Sequence, residues 1–365
     1  MRILAATARF SESYTEARQK FLAAADDARL AVESLPNSGA QGPGGEPLLT
    51  DVVRAGPTEA ERIVVATSGV HGVEGFCGSA CQIGFLREGL WRALPSGTAL
   101  LLVHALNPYG FAHLRRVNED NVDVNRNFIE HDRPAPANPA YEEIHPFLVP
   151  SDWDGPARAS ADEGIGALAA ARGLSYVQAA VQGGQYAHPD GLFYGGSRPV
   201  WSNLTWRSII RRHLAASRRV AFIDLHSGLG PYGQGEAIFR GRFAGDGYAR
   251  ARGWYGADVT SSEDGSSTSA VIVGNMATAL DQELAGAELT SITLEFGTVS
   301  GPEVLNAMRG DHWLHLHGDP ASAGGPAIKA AIRDAFYCDR DDWKDRVWER
   351  AAEILTRAFA GIGAG

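Results

Sequence analysis

The stretch "RIVVATSGVHGVEGFCG", residues 62–78, decides how the rest of the chain is read. It opens on the β-branched run Ile63–Val65, which reads as a strand, and then turns through glycines past His71 and Glu74. Residues 75–90 read as the helix that follows. A strand running through a glycine turn into a helix is the unit from which parallel sheets are built. Outward from it, "LLTDVVRAG" (48–56), "GTALLLVHALNPYG" (97–110), "RRVAFIDLHSG" (218–228) and "LTSITLEFGT" (289–298) are further apolar runs ended by turn signals. Helical patterns occupy 11–34, 161–182, 200–216, 301–316, 324–336 and 341–360, with a short helix at 139–147. "SLPNSGAQGPGGEP" (34–47) reads as a break made by glycine and proline. The expected fold is α/β: three layers, α/β/α, around a mixed, mostly parallel central sheet. In such sheets, sites form at the carboxyl ends of the strands.

The chain has 365 residues and a net charge of −10, with no dense stripe of Lys and Arg, which argues against nucleic acid and anionic membrane surfaces as partners. Its three cysteines include no CxxC pair, a pattern of reduced compartments. The N-terminal "MRILAATARF" turns polar too early for a signal-peptide apolar region, and no run is long enough to cross a membrane. These features read as a soluble, cytoplasmic protein; they leave the oligomeric state open.

His71 and Glu74 follow the end of a strand, and a spacing of three puts them on one face of the turn. Imidazole and carboxylate are both zinc ligands, but an isolated HxxE is more often a helix start with an exposed Glu. Catalytic zinc takes three protein ligands, and His226 in "DLHSG" again ends a core strand, two residues after Asp224. Glu295 lies among Ile, Leu and Phe, where a carboxylate is costly to bury without a role. It is the candidate base that takes a proton from water. "RRVNEDNVDVNRNF" (115–128) gathers Arg116, Asn118, Asn125 and Arg126, whose donors suit an anionic end group. The bland alternative is a solvated polar loop. Cys77 and Cys81 read as helix packing, and "DHWLHLHGD" (311–319) lacks the strand-end context of a site. There is no GxSxG, HExxH or PCxxC motif.

Taken in order, "GVHGVE", "NPYGF", "RVNEDNVDVNRNF", "DLHSG" and "TLEFGT" resemble the zinc carboxypeptidase superfamily typified by carboxypeptidase A. "FYGGSRPVWSNLTWRSII" (193–210) resembles the stretch before the third ligand there. The nearest branch resembles a bacterial family of unknown function. The resemblance implies a single zinc-hydrolase domain over 1–365, with an inserted region at about 131–200 and a helical tail at about 301–365. It implies one zinc ion held by His71, Glu74 and His226, with Glu295 as general base and then acid. Arg126 with Asn125 would bind the substrate's terminal carboxylate, and Arg116 would stabilise the oxyanion. The substrate would be a small peptide cut next to its free carboxylate.

The sequence departs from the pattern at Val73, where many digestive members carry Arg, and in having no Tyr between Tyr255 and Glu295. Tyr186 or Tyr194 are the substitutes for that capping group, against a reading of both as core residues. The alternatives are an N-acyl amino acid deacylase like aspartoacylase or succinylglutamate desuccinylase, and a zinc-containing binding protein without turnover. The excursions at 131–160 and 183–196 are expected to overhang the pocket.

Overall fold

The computed structural model describes residues 6–243 and 245–364. The N-terminal stretch read above as free of a leader begins in residues 1–5, which lie outside the described residues. Along the chain run α1 (Tyr14–Asp27), β1 (Val32–Gln41), β2 (Pro47–Ala55), β3 (Arg62–Ser68), α2 (Gly75–Arg87), β4 (Thr98–His104) and α3 (Pro108–Ala112). Next come α4 (Pro139–Leu148), α5 (Pro156–Arg172), α6 (Leu174–Gln182), α7 (Trp201–His213), β5 (Arg219–Tyr232), β6 (Gly235–Phe239), α8 (Gly247–Tyr255) and β7 (Thr260–Ser261). The last elements are α9 (Ala277–Glu283), β8 (Glu288–Gly297), α10 (Gly301–Leu316), α11 (Gly325–Phe336) and α12 (Asp341–Gly363).

The strands form one eight-stranded sheet in the order β1-β2-β4-β3-β5-β8-β6-β7. Its centre, β4-β3-β5-β8, is parallel, and the flanking pairings β1–β2, β2–β4 and β6–β8 are antiparallel. The sheet is thus mixed with a parallel heart, as the alternation of apolar runs and helices predicts. β4 is buried along its whole length because it is covered on both faces, which is why these strands read as continuous apolar runs.

Alternation along each strand sends side chains to two cores. Val64, Ala66, Ile223, Leu225, Leu294 and Phe296 pack with α1, α2 and α12. Val65 and Phe222 pack on the other face with Trp206 of α7 and Leu280 of α9. Fully burying each of the Val, Ile, Leu and Phe side chains among these contributes about 1.5–3 kcal/mol. A third cluster, from α4, α6, α10 and α11, gathers around Val73, between the two ligands of the opening motif.

Three expectations need correction. Residues 34–47 are not simply a break: most of them belong to β1, and only Gly42 to Glu46 form the turn to β2. β1 is an edge strand paired on one side only, so Pro36 and Gly39 cost it little, and the register shifts between Pro36 and Gln41. The helix expected over 11–34 ends at Asp27, because Arg29 at φ 56° turns the chain toward β1. The helix expected over 161–182 is two, split at Gly173 with φ 89°, and the first begins earlier, on Pro156. Between 229 and 288, where no element is expected from the pattern of residues, lie β6, α8, β7 and α9. No helix among the described residues is long and apolar enough to cross a membrane.

Candidate metal centre and active site

His71 lies just beyond β3, His226 near the end of the parallel part of β5, and Glu295 opposite His226 on β8. All three therefore sit at the carboxyl ends of parallel strands, where backbone geometry leaves a crevice. Glu74 ends a short 3-10 turn, Gly72–Glu74, that swings it back beside His71. That turn is stitched to the next loop: Gly72 and Val73 donate their N–H groups to the carbonyls of Arg116 and Arg115, at 3.1 and 2.9 Å. Gly72 is required for a reason other than φ. A Cβ there would lie 1.9 Å from the Gly110 carbonyl carbon, because the ligand turn rests directly on the backbone of α3.

His71, Glu74 and His226 are buried, and each offers a ligand atom lying within 4.8 Å of the others. The two imidazole rings are 4.9 Å apart, centroid to centroid. Nδ1 of His71 lies 2.9 Å from Glu74 Oε1, and Nδ1 of His226 lies 2.8 Å from Oε2 of the same carboxylate. The opposite nitrogens turn to two further carboxylates: His71 Nε2 to Asp123 Oδ1 at 3.0 Å, and His226 Nε2 to Asp224 Oδ2 at 2.6 Å. A carboxylate accepts only, so Asp123 and Asp224 each hold a proton on Nε2, and Nδ1, shared with the Glu74 carboxylate, is the nitrogen that would give up its proton to face a cation at the centre. Asp224 is itself fixed by the hydroxyl of Thr67, which donates at 2.6 Å.

The electrostatics fit a cation. Burial alone would raise the Glu74 carboxyl, but the two imidazoles outweigh it and hold it well below the usual range. Asp123 is likewise raised by burial and then brought far lower by Arg116, His71 and Arg126. His226 is disfavoured as a cation by burial, yet Asp224 and Glu74 raise it well above an ordinary histidine. An ionised carboxylate and two imidazoles, each braced by an aspartate, are a donor set for a divalent metal such as zinc.

Glu295 is buried and accepts a hydrogen bond from the Leu229 N–H at 3.1 Å. Burial and the neighbouring Glu74 push its carboxyl up to about 8. This has a consequence for stability when no cation is bound. The folded state then holds the Glu295 proton from its ordinary 4.5 up to about 8, whereas the unfolded chain has released it. The contribution to stability is therefore full below 4.5, falls as pH rises and is lost above about 8. Chelator-treated protein is expected to lose a few kcal/mol between pH 5 and 9, at about 1.4 kcal/mol for each pH unit over which only the folded chain keeps the proton. Glu295→Gln should lessen that slope in denaturant titrations and leave the part that the raised His226 contributes above its ordinary 6.5; an unchanged slope contradicts the assignment.

The 115–128 loop places its residues unequally. Arg116 points at the centre: its Nε donates to Asp123 Oδ2 at 3.0 Å and its Nη1 to Glu74 Oε1 at 3.1 Å. Its Nη2 also comes within 2.9 Å of His71 Nε2, the nitrogen that faces Asp123. Arg126 donates from Nε and Nη2 to the Gln182 carbonyl and from Nη1 to the Asn125 carbonyl. Three of its five donors are used, leaving one on each terminal nitrogen. The Phe193 ring faces both guanidiniums, 4.7 Å from Arg116 and 5.6 Å from Arg126. Asn125 Oδ1 accepts from the Met276 N–H at 2.9 Å, which leaves its amide nitrogen as a donor.

Asn118 instead shapes the loop: its Oδ1 accepts from the N–H groups of Asp120 and Val122. Tyr194 is packed in the apolar cluster with Val122, Phe128 and Trp206, and what it brings near the site is its backbone carbonyl, which accepts from the Asp123 N–H at 2.7 Å. Tyr186 donates its hydroxyl to the Arg126 carbonyl at 2.7 Å. Of the two excursions, 183–196 does line the centre, through Phe193 and through Gly184, whose missing side chain admits Arg126.

Asp123 and Arg240 are not among the residues that the sequence singles out. The signal for Asp123 is its alternation with Asn125 in "NVDVNRNF". Cys77 and Cys81 are free and buried in α2. His312 bonds through Nε2 to the Asp190 carbonyl, and His315 pairs with Lys329, so the 311–319 cluster does not converge. A second grouping, His145, His188 and Asp190, lies on the insertion, but its imidazoles are stacked face to face at 3.7 Å.

Residues 10–350 match a family described as a protein of unknown function, DUF2817. The chain belongs to the DUF2817 family. No curated protein matches this DUF2817 chain significantly. Among solved structures it is similar to bovine thrombin-activatable fibrinolysis inhibitor in complex with tick carboxypeptidase inhibitor. That match has a TM-score of 0.51 and 12% identity, covering 97% of this chain and 98% of the other. Carboxypeptidase A from Helicoverpa armigera aligns at TM-score 0.45 and 14% identity, covering 89% and 74%. A succinylglutamate desuccinylase/aspartoacylase family protein from Shewanella amazonensis aligns at 0.38 and 18%, covering 84% and 73%. The first of these shows that the DUF2817 chain has the carboxypeptidase-like fold expected from its motifs.

Proposed function

We propose that the DUF2817 chain is a zinc-dependent hydrolase that cleaves an amide bond next to a free carboxylate, in the manner of a metallocarboxypeptidase. The observation that carries this reading is the convergence of His71, Glu74 and His226, each histidine braced by an aspartate, with Glu295 on the adjoining strand. One eight-stranded sheet carries His226 and Glu295 and leads directly into the turn that holds His71 and Glu74, which supports a single domain. The helical tail α10–α12 favours this reading over an aspartoacylase-like deacylase, in which a small β domain would be expected there.

When bound, the zinc ion supplies Lewis acidity and activates water near neutral pH. Glu295 takes a proton from the attacking water and delivers it to the departing amine. Burial and the neighbouring Glu74 make that carboxylate basic. Arg116, aimed at the centre from the Phe193 ring, donates to the carbonyl oxygen as negative charge grows there. The free donors of Arg126 and Asn125 hold the substrate's terminal carboxylate and so fix the scissile bond in place. Asp123 and Asp224 orient the ligating imidazoles.

Metal analysis of purified protein, followed by hydrolysis of short peptides and N-acyl amino acids with free and amidated carboxyl ends, tests the proposal. About one zinc per chain is expected. Amidation should lower kcat/KM about 10–100-fold, the value of a charge-assisted hydrogen-bond pair. Equal rates on free and amidated substrates would remove Arg126 and Asn125 from substrate binding.

A further inference from the structure

One guanidinium on the site's face of the sheet is held by hydroxyls and, among the described residues, forms no ion pair with a carboxylate. Arg240 follows β6 directly and donates its backbone N–H to the Ser291 carbonyl of β8 at 2.9 Å. β6 runs antiparallel beside β8, with Ile238 opposite Thr293 and Glu236 opposite Glu295. The Arg240 side chain reaches back along that face, its Nε donating to Thr293 Oγ1 at 3.1 Å. Thr293 is two residues from Glu295 and on the same face. The remaining partners are also hydroxyls: Nη1 donates to Ser262 at 3.2 Å and Nη2 to Ser269 at 3.0 Å.

Three other interior arginines are arranged differently, while Arg126, like Arg240, is held without an ion pair. Arg115 pairs with Asp311, Arg116 with Asp123 and Arg309 with Asp162. Among the described residues, no carboxylate forms an ion pair with Arg240. Hydroxyls hold the guanidinium without pairing with its charge, and Glu295, Asp224 and Glu236 act on it only through space, so its free donors stay available to a ligand. Three of its five donors are engaged, which leaves one on each terminal nitrogen, the fork that suits a carboxylate. The same wall leads to Arg126. Ser269, which binds Arg240, is followed by Ala270, whose N–H donates to Gln182 Oε1 at 3.2 Å, and the Gln182 carbonyl receives Arg126. Two guanidiniums thus flank one short stretch of wall beside Glu295.

We propose that Arg240 determines specificity by binding a second anionic group on the leaving side of the substrate, so that the preferred substrate is an amide of an acidic amino acid such as glutamate. This rests on the amide-hydrolase reading for its substrate, but the recognition of two carboxylates is testable without turnover.

Two measurements test it on the full-length, zinc-loaded protein. The first is calorimetric binding of glutarate against its monoamide glutaramate, which differ only in the second carboxylate. Wild type is expected to bind glutarate about 10-fold or more tightly than glutaramate, and Arg240→Gln should bring that ratio to about 1, with Arg240→Lys intermediate. The second is kcat/KM on paired substrates ending in Glu and Gln. Wild type should favour Glu by a similar factor, and Arg240→Gln should erase the preference. A purely structural Arg240, clipping Ser262 and Ser269 to the sheet, would lower both substrates together and keep the ratio. A wild-type ratio near 1 in the binding measurement, or a preference that survives Arg240→Gln, overturns the proposal. A glutarate preference that depends on Arg240 without any amide hydrolysis upholds the recognition and sinks the hydrolase reading instead.

Discussion

Replacement of Glu295 by Gln should lower kcat by about 10²–10⁴-fold, the range for losing a general acid–base group, while zinc content stays unchanged. The two properties separate because Glu295 stands beside the ligands and is not among the three that converge. Its carboxyl is held by a single backbone donor, Leu229, and its high proton affinity comes from burial and from Glu74. Gln keeps the shape and a polar head but cannot exchange a proton. Steady-state kinetics with metal analysis on the same sample are decisive. Full activity in the variant would take Glu295 out of the chemistry, and loss of zinc would make it a ligand or a support of one.

Substituting His226 by Ala should remove the metal and the activity together. Among the described residues His226 supplies one of two imidazoles at the centre, and two remaining protein ligands are too few for a stable site. The aspartates behind the histidines should act more mildly. Asp224→Asn and Asp123→Asn are each expected to weaken zinc binding about 10–100-fold, since the amide can present a donor where the imidazole N–H needs an acceptor. Asp123→Asn should also disturb Arg116, which shares that carboxylate at 3.0 Å. Competition with a chromogenic chelator measures both. Undiminished affinity in Asp224→Asn would show that the 2.6 Å contact to His226 is not what fixes the imidazole.

How legible a residue is in the chain depends on how strongly its own neighbours constrain it. His71, Glu74 and His226 each have an ordinary explanation alone and stand out together, as potential ligands that all follow the ends of apolar strands. Glu295 stands out as a carboxylate inside an apolar strand. Asp123 does not, because an aspartate amid Asn and Arg looks like a solvated loop until the loop is seen folded against His71. Tyr194 can be read from the chain either as a substrate cap or as core, and the fold chooses core, in one cluster with Phe128 and Trp206 that nothing local to "FYGG" shows. β1 is hidden by its glycine and proline, which only an edge position tolerates.

The parallel heart of the sheet and the meeting of its strand ends are written into the order of residues. Apolar runs of that length can be satisfied only by burial on both faces, and the turns that end them carry the polar groups. Which charges face one another is settled by the folded chain alone. Asp123 and Asp224 lie behind the imidazoles, Glu236 sits opposite Glu295, and Arg240 is left with hydroxyls, because strand register and loop packing set those distances. Electrostatic energy depends on such distances through space, and a linear order of residues does not contain them.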